Sequence, residues 1–187
     1  VRQDVTCAAD WDAVVATAVE RFGGLDALVN NAAIHHIISL EDESVEALEQ
    51  MLRVNVVGTG WGIKKAIAPM RARGGGSIVM QSSTAAWMGV SFYGLAKLGM
   101  NGLTGCLAGE LGPQGIRINA IAPGPTDTDA LKKTAGPVAD QIVAGLPIQR
   151  IGRPEDMVET CLFLLSDAAS WITGQVINVD GGQIRRP

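Results

Sequence analysis

Short apolar runs alternate with longer segments of helical spacing along this chain, and most runs close on glycine, asparagine or proline. The runs are apolar throughout rather than at every second residue, which marks strands buried on both faces. Together these features predict an α/β fold: a parallel sheet with helices on both faces, built from right-handed βαβ units. Composition agrees, since 47% of the 187 residues are hydrophobic and 18% charged, as in a compact globule without disordered tracts. A chain of this length buries roughly 70% of its unfolded surface. It has no linker-like stretch and no internal repeat, so residues 1–187 read as one domain.

Val1 to Val5 reads as a short strand. From Trp11, apolar residues at Val14, Val15, Ala18, Val19 and Phe22 follow helical spacing until Gly23-Gly24 stops them. Leu25 to Val29 is a buried strand that ends at Asn30-Asn31. Ser44 opens a long helix to about Arg73, which Gly74-Gly75-Gly76 closes. Ser77 to Ser82 is the next strand, and Phe92 to Leu111 the second long helix, broken by Gly112-Pro113. Ile116 to Ile121 is a strand, followed by the loop Ala122-Pro123-Gly124-Pro125-Thr126. Residues 127–152 are weakly periodic and predict a mobile, substrate-binding loop region. Pro154 fits the first turn of a helix to about Leu165, and Gln175 to Val179 is the last strand.

A net charge of −4, with basic clusters only at Lys64-Lys65 and Arg185-Arg186, argues against a nucleic-acid partner. No apolar run approaches the ~18 residues of a membrane span, and no basic-then-apolar leader opens the chain. Cys7, Cys106 and Cys161 are far apart and odd in number, and read as reduced core thiols of a cytoplasmic protein. The chain opens on Val1 rather than Met, so a preceding segment is expected.

Tyr93 and Lys97 carry the chemistry. Four residues apart on a helix, they share one face. A free Tyr has a pKa of about 10 and is a poor acid or base near neutrality, and a neighbouring ammonium favours its phenolate. Ser83, at the end of an apolar run, is placed to hold a carbonyl or alcohol oxygen while Tyr93 moves the proton. These are the parts of a carbonyl/alcohol redox site. An acyl-transfer reading of Ser83 fails, because it lacks a G-x-S-x-G elbow and no His lies downstream of it.

Around this pair stand Asn30-Asn31-Ala32-Ala33, Asn55 in Val54-Asn55-Val56-Val57-Gly58, Ser82-Ser83, and Tyr93-Gly94-Leu95-Ala96-Lys97. Ile116-Arg117-Ile118-Asn119-Ala120-Ile121-Ala122-Pro123-Gly124, Gly152-Arg153-Pro154-Glu155-Asp156, Ile172-Thr173-Gly174-Gln175 and Asp180-Gly181-Gly182 follow. This ordered set, over essentially the whole chain, resembles the short-chain dehydrogenases/reductases, most closely their oxoacyl-carrier-reductase-like branch. The resemblance implies a Rossmann-type doubly wound sheet, NAD or NADP as cofactor, a small alcohol or carbonyl substrate, and a homo-tetramer or homodimer. It implies that Tyr93 is the general acid/base, that Ser83 orients the substrate oxygen, and that Asn55 holds a proton-relaying water. Lys97 would lower the Tyr93 pKa and, with Tyr93, contact the cofactor at its nicotinamide ribose. Asn31, Ala32 and Ala33 would face the ribose region, Asp4 and Val5 the adenine, and Pro123, Gly124, Thr126 and Thr128 the nicotinamide.

Three departures matter. Ala33 stands where the family often has Gly. The Ser83–Tyr93 loop is shorter than the commonest pattern by about three residues, which leaves Ser82 as the alternative to Ser83. The family's glycine-rich phosphate loop has no match, so the fold is expected to be N-terminally truncated by two strand–helix units, roughly 60 residues. Val1–Val5 would then lack a partner and Leu25–Val29 would form a sheet edge. The competing reading is a catalytically silent fragment or scaffold that cannot bind a dinucleotide.

Other conspicuous residues have quieter readings. Adjacent His35 and His36 point opposite ways on extended backbone, so they are not expected to chelate a metal, and at most one lines the substrate mouth. Trp87 and Trp171 read as packing or pocket wall. Glycines 94, 99, 102 and 105 cost about 1 kcal/mol each in a helix relative to Ala, and point to close approach of the sheet or of another subunit.

Overall fold

The structure, a computed structural model, describes residues 1–36, 38–39, 41–135 and 138–185, with backbone alone at 133–135. Four parallel strands form one sheet in chain order: β1 Ala27–Asn30, β2 Gly76–Gln81, β3 Ile116–Pro123 and β4 Val176–Val179. The helices are α1 Ala8–Phe22, α2 Val45–Leu52, α3 Thr59–Ala72, α4 Ala85–Met88, α5 Ser91–Leu111, α6 Asp129–Ala135, α7 Ala139–Gly145 and α8 Pro154–Leu165.

Side chains alternate across the strands, and each set finds its own helices. Ile78 and Met80 of β2 and Ile116, Ile118 and Ala120 of β3 pack against Ile63, Ala66 and Met70 of α3 and Met100 and Leu111 of α5. The opposite face sets Val79 and Ile121 against Met157 and Leu164 of α8. The sheet is therefore covered on both sides, as the apolar runs predict.

Not every βαβ unit is right-handed, contrary to the expectation. The chain steps across the sheet in one direction throughout, yet α3 and α5 lie on one face and α8 on the other. The β3-to-β4 connection thus has the hand opposite to the two before it. It is long and carries α6 and α7, which loosens the steric coupling that makes short crossovers right-handed.

Val1–Val5 is not a strand. Among the described residues it pairs with no strand, and its end is folded into a turn in which the Asp4 carboxylate accepts from the Thr6 N–H and hydroxyl, each at 2.8 Å. β1 is a sheet edge, with Ala27 and Val29 exposed. Ser44 caps α2 by accepting from the Ala47 N–H at 3.1 Å. The long helix expected over 44–73 is interrupted by a π-helical turn, Arg53–Gly58. Residues 127–152 are not an irregular loop, since α6 and α7 fill most of them. Arg186 lies outside the described residues.

Candidate active site

The end of β2 and the first two turns of α5 meet at the carboxyl edge of the sheet, where open α/β folds bind ligands. Ser82 and Ser83 follow the end of β2, and both border the cavity. The Ser82 hydroxyl is buried and reaches the Lys97 carbonyl at 3.5 Å. The Ser83 hydroxyl borders the cavity, accepts from the Ala85 N–H at 3.2 Å, and lies close enough to the Tyr93 phenol to pull its pKa down. Of the two serines, Ser83 is the one brought to Tyr93.

The short loop between them closes through α4, then Gly89 at φ 65° and Ser91 at φ 52°. A left-handed serine costs about 1–3 kcal/mol, the kind of strain that persists where its surroundings fix it. Here they do: the Ser91 hydroxyl donates to the His36 carbonyl and accepts from the Tyr93 N–H, both at 3.2 Å. Gly94 is required one residue past Tyr93, because a Cβ there would stand 2.6 Å from the Ala85 carbonyl oxygen. Sequence reasoning missed Ser91; a small hydroxyl residue just before Tyr93 was its only mark.

Lys97 is 1% exposed. Its Nζ donates to the Gln81 carbonyl at 2.6 Å and lies 5.6 Å from the centre of the Tyr93 ring. Burial pulls its pKa from 10.5 to about 8, so it is still mostly cationic at pH 7. The phenol does not show the lowered pKa expected beside a cation. Burial pushes Tyr93 above its ordinary value, and the Ser83 hydrogen bond offsets this only in part.

Asn55 sits in the π-turn, fully buried. Its side chain clamps Ile34, accepting from the N–H and donating to the carbonyl, each at 2.8 Å. Beyond Ile34 both histidines border the cavity, where at most one was expected. His36 faces Glu43 at 3.8 Å. His35 lies edge-on to the Tyr93 ring, with centroids 4.8 Å apart.

These groups open into one cavity of about 1160 Å³. Asn31 and Ala33 line its β1 end, and Pro123, Gly124, Thr126 and Thr128 line the rim beyond β3; Ala32 is not part of the wall. Gly124 must be glycine, since a Cβ would come within 2.7 Å of the Asp180 Cα. Asp4 and Val5 lie outside the cavity. Val5 instead packs on Gly58, and its carbonyl accepts from the Trp11 indole at 2.9 Å. Gln183, which the sequence did not single out, joins the wall and accepts from the Thr84 hydroxyl at 2.9 Å.

The donor set fits the nicotinamide-ribose end of a dinucleotide. Lys97 donates one hydrogen bond to Gln81 and has further N–H donors at the cavity wall, and Asn31 stands exposed at the end of β1.

Outside the cavity, several expectations change. Cys106 is exposed and Cys7 and Cys161 are only half-buried, so the thiols are not core residues. Trp87 donates to the Asn178 side chain at 3.2 Å, whereas Trp171 is 99% exposed and packs no wall. Gly99 makes only ordinary contacts with Val56, and Gly102 and Gly105 face open space rather than the sheet. Among the described residues there is no cluster of metal-ligating side chains, and no helix long and apolar enough to cross a membrane.

Comparison with known proteins gives the site its context. A family model described as enoyl-(acyl carrier protein) reductase matches residues 1–183. An uncharacterized oxidoreductase of Mycobacterium tuberculosis is 52% identical over 178 residues, covering 93% of this chain and 72% of the relative. A 3alpha-hydroxysteroid dehydrogenase of Mediterraneibacter gnavus is 38% identical over 177 residues, covering 90% of this chain and 69% of its own length. Among solved structures, ElxO with NADP bound superposes with a TM-score of 0.91 at 33% identity, covering 98% of this chain and 77% of that one. By this model match and these relatives, the chain belongs to the short-chain dehydrogenase/reductase family of oxidoreductases.

Proposed function

We propose that the chain interconverts a secondary or primary alcohol and its ketone or aldehyde with NAD or NADP, using Ser83, Tyr93, Lys97 and Asn55. The observation that carries this reading is the meeting of the Ser83 hydroxyl, the Tyr93 phenol and the Lys97 ammonium at one wall of the cavity. When bound, the nicotinamide supplies or accepts the hydride at the substrate carbon.

The protein's own part is proton handling and orientation. Ser83 donates a hydrogen bond to the substrate oxygen and holds it against Tyr93. In reduction, Tyr93 gives its proton to that oxygen as the C–O double bond becomes single. In oxidation the alcohol proton returns to Tyr93 as the double bond forms. A phenol held above its ordinary pKa is protonated at neutral pH and suits the acid role. Lys97 stabilises the phenolate left behind, from 5.6 Å, and gives its remaining donors to the nicotinamide ribose. Asn31 and Ala33 border the ribose, and Pro123, Gly124, Thr126 and Thr128 the nicotinamide. Asn55, besides any relaying water, fixes the wall at Ile34.

Two observations support self-association: α5 presents Leu95 and Leu98 to solvent, and Gly102 and Gly105 leave its surface open to close approach. A homodimer or homo-tetramer joined through this helix follows.

The reading is tested by titrating NADPH and NADH into the protein, then assaying alcohols with the preferred cofactor. One relative is named for a 3alpha-hydroxysteroid and another, 38% identical, for trans-4-hydroxycyclohexanecarboxylate, so cyclic secondary alcohols head the panel. Micromolar cofactor binding with turnover is expected. No binding of either cofactor would favour the silent scaffold. Within an active protein, Ser83→Ala should lower kcat/KM by roughly 10² or more, as loss of one oxyanion donor does. Ser82→Ala, which removes a hydroxyl turned to the helix backbone, should change kcat/KM less than threefold. Equal losses would overturn the choice of Ser83.

A further inference from the structure

Residues 34–36 are tied at both ends to the elements that carry the site. Asn55 grips Ile34 from the π-turn, and Ser91 grips the His36 carbonyl from the strained start of α5. The residue between the ties is His35, whose imidazole meets the Tyr93 ring at 84° with centroids 4.8 Å apart. Such an edge-to-face arrangement is a preferred geometry for an aromatic pair. Rotation of the ring about its own axis leaves the hydroxyl oxygen in place, but a swing between the staggered wells of the first torsion would carry it away from Ser83, and the His35 ring stands against that swing.

We propose that His35 is a positioning residue for Tyr93: held between the Asn55 and Ser91 ties, its imidazole fixes the phenol ring and shields it from water, keeping the hydroxyl turned to Ser83. The strain at Ser91 then has a purpose, since relaxing it would release His36 and with it the ring above Tyr93.

The charges about His35 are Lys97 on α5 and its neighbour His36, which faces Glu43. Burial, and behind it the charges of His36 and Lys97, push the His35 pKa below its ordinary 6.5. The ring is therefore neutral at pH 7 and adds no second cation beside Lys97. Its effect on Tyr93 is contact and desolvation, not charge.

Tyr93 is the sole tyrosine of the chain, so its phenolate absorbance can be titrated directly, without a substrate. In the wild type it is expected to ionise above the ordinary 10.0. His35→Ala opens the ring to water and should bring the midpoint back toward about 10. His35→Phe keeps an aromatic edge without the nitrogens and should stay with the wild type. A His35→Ala midpoint equal to wild type, or a His35→Phe midpoint that falls as far as Ala, overturns the proposal. The functional weight of the contact rests on Tyr93 being the proton donor proposed above, but the titration reads the contact regardless of turnover. Failure here leaves that reading intact, while an active Tyr93→Phe enzyme defeats the reading and not the contact.

Discussion

Tyr93→Phe is expected to lower kcat by roughly 10²–10⁴, the range that general acid–base catalysis contributes, while leaving the fold intact. Only a hydroxyl is removed. The ring that packs against His35 and lies 5.6 Å from the Lys97 ammonium stays, so secondary structure by circular dichroism should match the wild type. The Ser83 hydroxyl loses one partner but keeps the Ala85 N–H. A variant retaining more than about a tenth of the wild-type rate would remove Tyr93 from proton transfer.

The central pair was legible because it depends on helix geometry alone. Residues four apart share a face whatever surrounds them, and α5 begins within a residue of its expected start. The sheet was legible for a similar reason: a strand buried on both faces leaves a run that cannot be mistaken for an amphipathic surface. What sequence could not decide was set by loops and by burial. Ser82 and Ser83 are equivalent as text. Only the turn through Gly89 and Ser91 separates the one facing the helix from the one facing Tyr93. Asn55 was marked by family resemblance, but its hold on Ile34 depends on the π-turn, which no periodicity announces. Val1–Val5 has strand composition but, as its expected lack of a partner implies, forms no strand. Trp171 was assigned a wall on the general preference of aromatic residues for burial, and its exposure is set by the far end of the connection into β4. The sign of the Tyr93 shift was misjudged because sequence spacing reveals the nearby cation but not the loss of water around the phenol.

Lys97→Met is expected to act on both rate and stability, with a pH dependence that identifies the ammonium as the cause. Removing the cation, which is present below about pH 8, should disfavour the phenolate in that range and move the pH–rate profile to higher pH, while weakening cofactor affinity. An unchanged profile would show that Lys97 does not tune Tyr93. Stability should respond in the other direction. Folded Lys97 has a pKa of about 8 against 10.5 for the free group, because burial penalises the charge. Below pH 8 both states carry the proton, and folding buries a cation at a cost on the order of 3 kcal/mol, taking about 1.4 kcal/mol per unit. Between pH 8 and 10.5 the unfolded chain binds the proton that the folded chain has released, so stability rises with pH. Tyr93 has the opposite sign: the folded state keeps its proton above pH 10, and stability falls from there. The interval from pH 8 to 10 therefore isolates the lysine. Across it, urea unfolding should show the wild type gaining about 2 kcal/mol relative to Lys97→Met. A flat difference between the two proteins would mean that the ammonium is as well solvated in the folded chain as in the unfolded one. Its hydrogen bond to the Gln81 carbonyl would then be outweighing the burial beside Tyr93.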